Sequence, residues 1–433
     1  MRNGIKSIFR SKSWKLIVSF IVGFVALNCL GQNIVQCGQE SLIKTLKYEK
    51  VDLDGSSSLQ SHGKFDSNIL FKEAEVKVVF HILYSNEDQN IHDSLIHNAV
   101  RVLNQAFYDC LDEVDSNFED VKGCPKLFFT VVKDDQNGIS NGITRNYTSV
   151  KTFNTGLELF EYDSPKYTYR GGRNAFKSQE CINIWVCNLK PENNNFQYVS
   201  GYAFPPSNAK FWSKDYFVSS ERQGIVIDYR CLLPRNLSTE YNPLGIKTLV
   251  HEMGHFFGLL HIWGHKEGCD NDDFIDDTPN CAKPSHFCSN NRNSCDANKL
   301  NDQYDNSENY MDYTNENCAR MFSIGQAHLI RHNLFIYRTS IGNFKQTLEL
   351  DSFLCFPNPA TDYINVVIPT HVSPINQAQI RVYSLNGSLI TKKSITSNEQ
   401  IILLSTLHFP KGLYFVECEL GNKYQHFKLL VQR

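Results

Sequence analysis

The sequence predicts an α+β domain followed by a separate all-β domain, and three observations support this. The chain has 433 residues, 41% hydrophobic and 21% charged, a globular composition too long for one ordinary core. Two strongly helical stretches, 244–260 and 323–337, stand among short strand-like runs that begin near residue 76. After about residue 351 only short strand-like runs remain.

The charge balance and the N-terminal segment limit function and location. The net charge is −3 at pH 7, so there is no sign of the basic face that nucleic-acid binding requires. Residues 1–31 combine several early basic side chains with an apolar run from 16 to 30, which predicts a cleaved signal peptide. That run is shorter than the about 20 apolar residues of a membrane span, although an uncleaved anchor is the alternative. We therefore expect a secreted or cell-surface protein without a stable membrane span.

The middle of the chain divides into a polar leader and a structured domain. Residues 32–72 are polar and irregular, which indicates a pro-segment. Residues 73–342 are the predicted first domain, with a helical pattern at 91–110 and strand-like runs at 76–84, 127–132 and 181–189. Residues 264–322 are rich in Asp, Asn and Cys and show little helical or strand periodicity. Such a stretch needs disulfide cross-links or bound ions to keep a defined conformation.

Residues 351–433 are the predicted second domain. Asn386-Gly387 is a strong hairpin signal between two of its strand-like runs. The runs lie at 363–368, 380–383, 401–404, 413–418 and 427–431. Short strands at this spacing predict a small β-sandwich.

A histidine-rich stretch in the first predicted domain indicates a metal site. It reads H-E-M-G-H-F-F-G-L-L-H and runs from His251 to His261. His251 and His255 are four residues apart, which places both imidazoles on one face of a helix. Gly258 permits a sharp turn that brings His261 back as a third ligand. Three protein ligands leave a fourth position open, as in a catalytic zinc site.

Glu252 gives this site a chemistry. It lies beside the first ligand, within reach of a water held by the zinc, whose pKa the metal lowers to about 7. Glu252 takes the proton as the water attacks a peptide carbonyl, and then passes it to the leaving amine. A surface helix with two chance histidines is the alternative, but the eleven-residue pattern fixes five positions.

A methionine downstream extends the pattern. Met311 lies in Asn309-Tyr310-Met311-Asp312-Tyr313, where it would form an apolar floor under the histidines. Tyr313 could donate a hydrogen bond to the developing oxyanion. An ordinary core tyrosine is the alternative for Tyr313.

Together these residues resemble the pappalysin family of metzincins. The likeness lies in the segments 183–186, 201–205, 251–263, 273–279 (DFIDDTP), 309–313 and 322–326 (FSIGQ). The resemblance implies a zinc endopeptidase domain with a twisted mixed sheet, an active-site helix and an irregular C-terminal subdomain. It also implies that 183–186 is the cleft-edge strand and 201–205 the loop after it.

The resemblance further implies calcium and disulfides in the irregular stretch. Asp273, Asp277 and Thr278 match the family motif and are the candidate calcium ligands, since calcium prefers several oxygen ligands. A solvated acidic loop is the alternative. The candidate disulfide cysteines are Cys269, Cys281, Cys288, Cys295 and Cys318. The implied pairs are Cys269 with Cys295, and Cys288 or Cys281 with Cys318.

Cys37 is a candidate latch in the pro-segment. The chain has 14 cysteines, and removal of Cys29 with the signal leaves an odd number, which flags one special thiol. Cys37-Gly38 resembles the cysteine switch of some pappalysins, in which a thiolate fills the open zinc position of a latent zymogen. Setting Cys37 aside leaves an even number for disulfides. A disulfide to another cysteine is the alternative.

The second predicted domain resembles the C-terminal sorting domain of type IX secretion substrates. The likeness lies in 357–363 (PNPATDY), 383–387 (YSLNG) and 411–414 (KGLY). It implies an immunoglobulin-like sandwich and the outer-membrane secretion machinery as a partner, besides protein or peptide substrates. An adhesion module of the same shape is the alternative. For the whole chain, the main alternative is a catalytically silent, zinc-stabilised binding protein.

Overall fold

The structure is a computed structural model. It describes residues 71–134, 139, 141–154, 163–190, 199–207, 209, 211–234, 245–288, 292–295, 303–347, 353–356, 358, 360, 363–369, 378–395, 401–421 and 423–431. The predicted signal peptide, nearly all of the predicted pro-segment and Cys37 lie outside these residues. Within the described part, no helix has the length and apolar character that crossing a bilayer requires.

A seven-stranded mixed sheet forms the frame of the first domain. Its strands are β1 (Phe71–Tyr84), β2 (Leu127–Val131), β3 (Ile143–Tyr147), β4 (Ile182–Cys187), β5 (Gly201–Ala203), β6 (Ile225–Asp228) and β7 (Gly342–Thr347). The order is β7-β1-β4-β6-β5, and β2 and β3 also pair with β1. Strands β2, β3 and β4 run parallel to β1, whereas β5 and β7 run antiparallel to their neighbours.

The edge of this sheet differs from the prediction. Residues 183–186 belong to β4, which lies between β1 and β6, so their assignment to the cleft edge is wrong. All six residues of β4 are buried, as expected of a strand covered on both faces. The strand at the edge beside β6 is β5, and it lies in the segment that was expected to be a loop. Three residues are too few for an alternating pattern to be visible.

Three α-helices in the described part of the chain pack on the sheet. They are α1 (Asp93–Asn104), α2 (Thr248–Phe256) and α3 (Ile324–Tyr337). Helix α2 is shorter than predicted at both ends: Gly245–Lys247 form a 3-10 turn before it, and the chain turns at Gly258, where φ is +91°. Helix α3 begins as predicted: Ser323 is the N-cap, in a capping box with Gln326. The three helices and one face of the sheet share one apolar core.

Residues 264–322 have little regular structure and are joined by disulfides. Cys269 bonds to Cys295 and Cys288 bonds to Cys318, while Cys281 stays a buried thiol. A third disulfide, Cys110–Cys124, was not anticipated. The even number left for disulfides does not translate into full pairing, because six cysteines of the described residues lie outside any disulfide. Besides Cys281, four of these cysteines are buried, namely Cys181, Cys187, Cys231 and Cys418. Burial rather than a disulfide therefore protects their thiols from solvent.

The C-terminal residues form two antiparallel sheets around their own core. The strands are β8 (Leu354–Phe356), β9 (Tyr363–Val367), β10 (Ala378–Ser384), β11 (Leu389–Ser394), β12 (Ile401–Ser405), β13 (Gly412–Leu420) and β14 (Lys423–Val431). The sheet orders are β8-β9-β12 and β11-β10-β13-β14. The hairpin predicted at Asn386-Gly387 joins β10 to β11. Strand β11 escaped prediction because it is almost wholly exposed.

Candidate metal centre

Helix α2 and the turn after it bring three histidines together. The Nε2 atoms of His251 and His255 lie 3.1 Å apart, one helical turn along the buried α2. The turn at Gly258 returns the chain, so that Nε2 of His261 lies 3.2 Å from that of His251 and 3.1 Å from that of His255. Zinc–nitrogen bonds of about 2.0–2.1 Å in a tetrahedron separate ligand atoms by about 3.3 Å. The three nitrogens therefore fit one metal ion.

Backbone carbonyls fix how two of these rings are oriented. Nδ1 of His251 donates to the Tyr310 carbonyl and Nδ1 of His255 donates to the Leu259 carbonyl, both at 2.8 Å. Because Nδ1 carries the proton, the Nε2 lone pairs face the centre. Burial lowers the pKa of His251 to about 4 and holds the pKa values of His255 and His261 well below their ordinary value. The rings are thus neutral at pH 7, as metal ligation requires.

Glu252 lies between the metal centre and the edge of the sheet. It is fully buried and follows His251 on α2. Its side chain packs on Gly201 of β5, where an added Cβ would lie 2.9 Å from Glu252 Cγ. A side chain at position 201 would therefore displace the glutamate. The edge strand and the candidate general base are in direct contact.

Met311 and Tyr313 reach the same site from the irregular stretch. Met311 is buried under α2, and a Cβ added at Gly254 would lie 2.4 Å from its Sδ. The ring of Tyr313 is centred 5.0 Å from His261 and 5.7 Å from His251. The structure thus brings together every zinc-site residue expected from the sequence, within the described part of the chain.

Two tryptophans at this site were not anticipated. Trp263 stacks on His261, with ring centroids 4.4 Å apart and planes 10° apart. Trp212 meets His255 edge-on, with centroids 5.9 Å apart. Trp263 lies two residues after the last histidine of the motif, so an aromatic residue there was a usable signal. Trp212 lies in the segment after β5, 43 residues before His255, where no pattern marked it.

The three candidate calcium ligands separate into two groups. Thr278 Oγ1 donates to Asp273 Oδ1 at 2.7 Å. Burial raises the pKa of Asp273 well above its ordinary value, and the nearby Asp272 raises it further. Asp277 instead accepts hydrogen bonds from Ser323 Oγ (2.6 Å) and the Gly325 amide (2.8 Å), in the first turn of α3.

Two family models match the chain. Residues 175–334 match the family described as pregnancy-associated plasma protein-A, and residues 354–432 match the secretion system C-terminal sorting domain. An extracellular metalloprotease of Arthroderma otae is 37% identical over 98 residues, which is 23% of this chain and 34% of that protein. One of Arthroderma benhamiae is 42% identical over 82 residues, 18% of this chain and 26% of that protein. The matches thus span about a third or less of these curated relatives.

Solved structures of one bacterial protein match over a longer range. Mature mirolysin of Tannerella forsythia, in complex with a cleaved peptide, is 31% identical with a TM-score of 0.51; the match covers 63% of this chain and 98% of that one. A promirolysin mutant from the same organism is 31% identical with a TM-score of 0.52, covering 62% and 84%. The first domain therefore has the mixed α+β fold of that metalloprotease, and the sorting domain indicates a secreted or cell-surface location. The chain belongs to the pregnancy-associated plasma protein-A, or pappalysin, family of metalloproteases and carries a secretion system C-terminal sorting domain.

Proposed function

We propose that this protein is a secreted, zinc-dependent endopeptidase of the metzincin type. The observation that carries the proposal is the convergence of three neutral Nε2 atoms within 3.2 Å beside a buried glutamate. A purely structural zinc site closes all four positions with protein ligands. Here the described residues supply three protein ligands, and the acidic side chain beside them, Glu252, is suited to act as a general base.

The residues divide the work of peptide hydrolysis. A zinc ion held by His251, His255 and His261 would polarise the scissile carbonyl and lower the pKa of the attacking water to about 7. Glu252 takes the proton from this water and later donates it to the leaving amine. The Tyr313 hydroxyl donates to the carbonyl oxygen as negative charge develops there. Strand β5, beside Glu252, offers its backbone to an extended substrate.

The competing function is a catalytically silent binding protein that uses zinc only for stability. Glu252 discriminates between them, because a scaffold has no use for a base. We expect Glu252→Gln to lower kcat about 100- to 10,000-fold while zinc content stays at wild-type level. Asp228→Asn is a control outside residues 264–322 and should keep wild-type cleavage, since Asp228 is also buried and its carboxylate accepts the Leu189 amide at 2.8 Å. Equal cleavage by Glu252→Gln and wild type would refute the mechanism.

Substrate preference and metal dependence can be measured together. The mature protein is incubated with a peptide library, with and without a chelator, and cleavage sites are read by mass spectrometry. We expect internal cleavage that the chelator abolishes and added zinc restores. Cleavage that survives the chelator would overturn the zinc mechanism.

We also propose a calcium ion in the irregular stretch. Asp273 is the stronger ligand candidate, because a bound cation would relieve the repulsion between its buried carboxylate and Asp272. Thr278 lies against it, whereas Asp277 already accepts two protein hydrogen bonds. Calcium should raise the thermal midpoint of wild type but not of Asp273→Asn. An identical rise in both would remove Asp273 from the site.

The latch proposed for Cys37 concerns residues outside the described part. A thiolate from the pro-segment would occupy the open metal position until the segment is cut, and promirolysin shows that a similar protein has a pro-form. Cys37→Ala should cleave itself during expression. A variant that stays as latent as wild type would eliminate the latch.

The flanking segments complete the proposal. Residues 1–31 act as a signal peptide, 32–72 as the pro-segment, 73–342 as the catalytic domain and 351–433 as an immunoglobulin-like sorting domain. The two sheets around one core support the sandwich, and the sorting-domain match supports the outer-membrane secretion machinery as its partner. Deletion of 351–433 should leave the protein in the periplasm; its unchanged secretion would contradict this role.

A further inference from the structure

The turn between the second and third histidines is held by three side chains. The carbonyls of Phe256, Phe257 and Gly258 are successive, and the last carbonyls of a helix have no partner within it. Each accepts one side-chain hydrogen bond in this structure. The donors are Arg338 Nε to Phe256 (3.1 Å), Asn333 Nδ2 to Phe257 (2.7 Å) and Trp212 Nε1 to Gly258 (2.9 Å).

Trp212 differs from the other two donors because its ring also contacts a metal-ligand candidate. Its indole lies edge-on to His255, with centroids 5.9 Å apart and planes 90° apart. The same indole therefore touches the ring of His255 and the backbone three residues later. Both contacts are in a buried setting, since Trp212 is 7% exposed.

The segment that carries Trp212 is itself anchored at this site. His265 Nε2 donates to the carbonyl of Phe211 at 3.0 Å, and Tyr216 packs on the indole with centroids 5.1 Å apart. The Phe211 ring stacks on Phe274, which joins this segment to the loop after the third histidine. These contacts fix Trp212 before any metal binds. Metal binding therefore costs no further conformational entropy of the Trp212 side chain.

We propose that Trp212 is a positioning residue of the metal centre. By fixing the Gly258 carbonyl and the plane of His255, it sets the separation between the Nε2 atoms of His255 and His261. This inference rests on the proposed function, because it requires the three histidines to hold a metal. Partners of this kind, which orient ligands without binding the metal, change metal affinity by about 10- to 100-fold when removed.

The test uses Trp212→Phe, which keeps an aromatic ring and removes the N–H donor. Trp185→Phe is the matched control: Trp185 is also buried and donates to a backbone carbonyl, that of Arg173, at 2.7 Å. Its indole packs on His81 rather than on the triad. We expect the zinc affinity of full-length Trp212→Phe, measured by chelator competition, to be about 10- to 100-fold lower than that of wild type. Trp185→Phe should stay within about threefold of wild type.

Three readouts separate the possible failures. Equal zinc affinity in both variants would overturn the role of Trp212 and leave the proposed function intact. Wild type that binds no zinc would overturn the proposed function itself. The visible spectrum of the cobalt-substituted protein reports ligand geometry without turnover and should change only in Trp212→Phe. If this variant does not fold, single-site incorporation of the benzothienyl analogue of tryptophan keeps the ring shape without the N–H and makes the same test.

Discussion

The candidate metal centre lies between two parts of the chain, its two walls, and these are stabilised in different ways. Helix α2 supplies the first two histidines and Glu252, and it is buried on all sides in an apolar core with the sheet. The opposite wall, residues 264–322, supplies Met311, Tyr313 and the Tyr310 carbonyl. Two disulfides cross that wall, and it has no helix among the described residues. One wall depends on apolar packing and the other on cross-links and polar contacts.

The polar wall is unusual in what it buries. Its fully buried polar side chains are Asp305, Asn306, Ser307, Asn309, Asp312 and Thr314. Buried polar groups stabilise a fold only when hydrogen-bonded, so their value depends on geometry. Asn309 illustrates this: its side-chain Nδ2 donates to Gln326 of α3, and its side-chain Oδ1 accepts a hydrogen bond from the backbone N–H of Met311. We therefore expect substitutions that disrupt residues 264–322 to weaken zinc retention. Equally destabilising substitutions elsewhere should not.

The largest expected effect follows loss of Cys288–Cys318. The bond closes a loop of separation 30, so Cys288→Ser/Cys318→Ser should lower the free energy of unfolding by about 3–4 kcal/mol. The control removes Cys110–Cys124, of separation 14, and should cost about 3 kcal/mol. Denaturant unfolding and zinc content are measured on both. Only the first variant should also lose zinc; equal zinc loss in both would contradict the comparison.

The sheet also has a buried polar group, His81 of β1, whose ring packs on Trp185. Burial lowers its pKa to about 4, and its ring nitrogens bond to Thr144 and Asn183 at 2.8 Å. Since its pKa in the unfolded chain is about 6.5, the unfolded state binds the extra proton first as pH falls. The contribution of His81 to the free energy of unfolding is fully present above pH 6.5. It decreases by about 3 kcal/mol as the pH falls to about 4.

His81→Gln tests this pH dependence. Glutamine retains hydrogen-bonding capacity but does not titrate. The free energy of unfolding is measured between pH 7 and 4 in chelated protein, so that the other histidines contribute equally to both proteins. Wild type should lose more stability than the variant over this range. Parallel pH profiles would show that His81 does not titrate as described.

A smaller effect is expected where the two walls touch, at Gly254. An alanine within a helix usually stabilises by about 1 kcal/mol relative to glycine. Here the added Cβ would lie 2.4 Å from Met311 Sδ, and overpacking costs about 1–3 kcal/mol. Gly254→Ala should therefore destabilise the protein and weaken zinc retention. Gly254→Ala combined with Met311→Leu, which shortens the opposing side chain, should recover part of both; a stabilised single variant would mean that Met311 moves freely.

The smallest effect is expected at Asp277, which accepts hydrogen bonds in the first turn of α3. Asp277→Asn removes the charge at the positive end of the helix and should cost about 1 kcal/mol. It should leave the calcium-induced rise in thermal midpoint unchanged, unlike Asp273→Asn. If both variants lose that rise, Asp277 is a calcium ligand as well as a cap.

The sequence was most informative about the apolar wall and least about the polar one. Helical spacing placed His251 and His255 on one face, and the helical pattern at 323–337 located α3. The edge strand β5 was missed because three residues show no period. In the polar wall, the family resemblance left Cys288 and Cys281 as alternatives, and the structure pairs Cys288.

By itself, the sequence identified the proposed zinc ligands and the proposed general base, because these predictions depend on residue type and spacing within one or two helical turns. Only the tertiary structure decided how the ring of His251 is oriented, since its partner, the carbonyl of Tyr310, lies 59 residues away. It also decided that Trp212 holds the turn at Gly258, 46 residues away. Such contacts depend on the path of the chain between the partners, and no local pattern encodes that path.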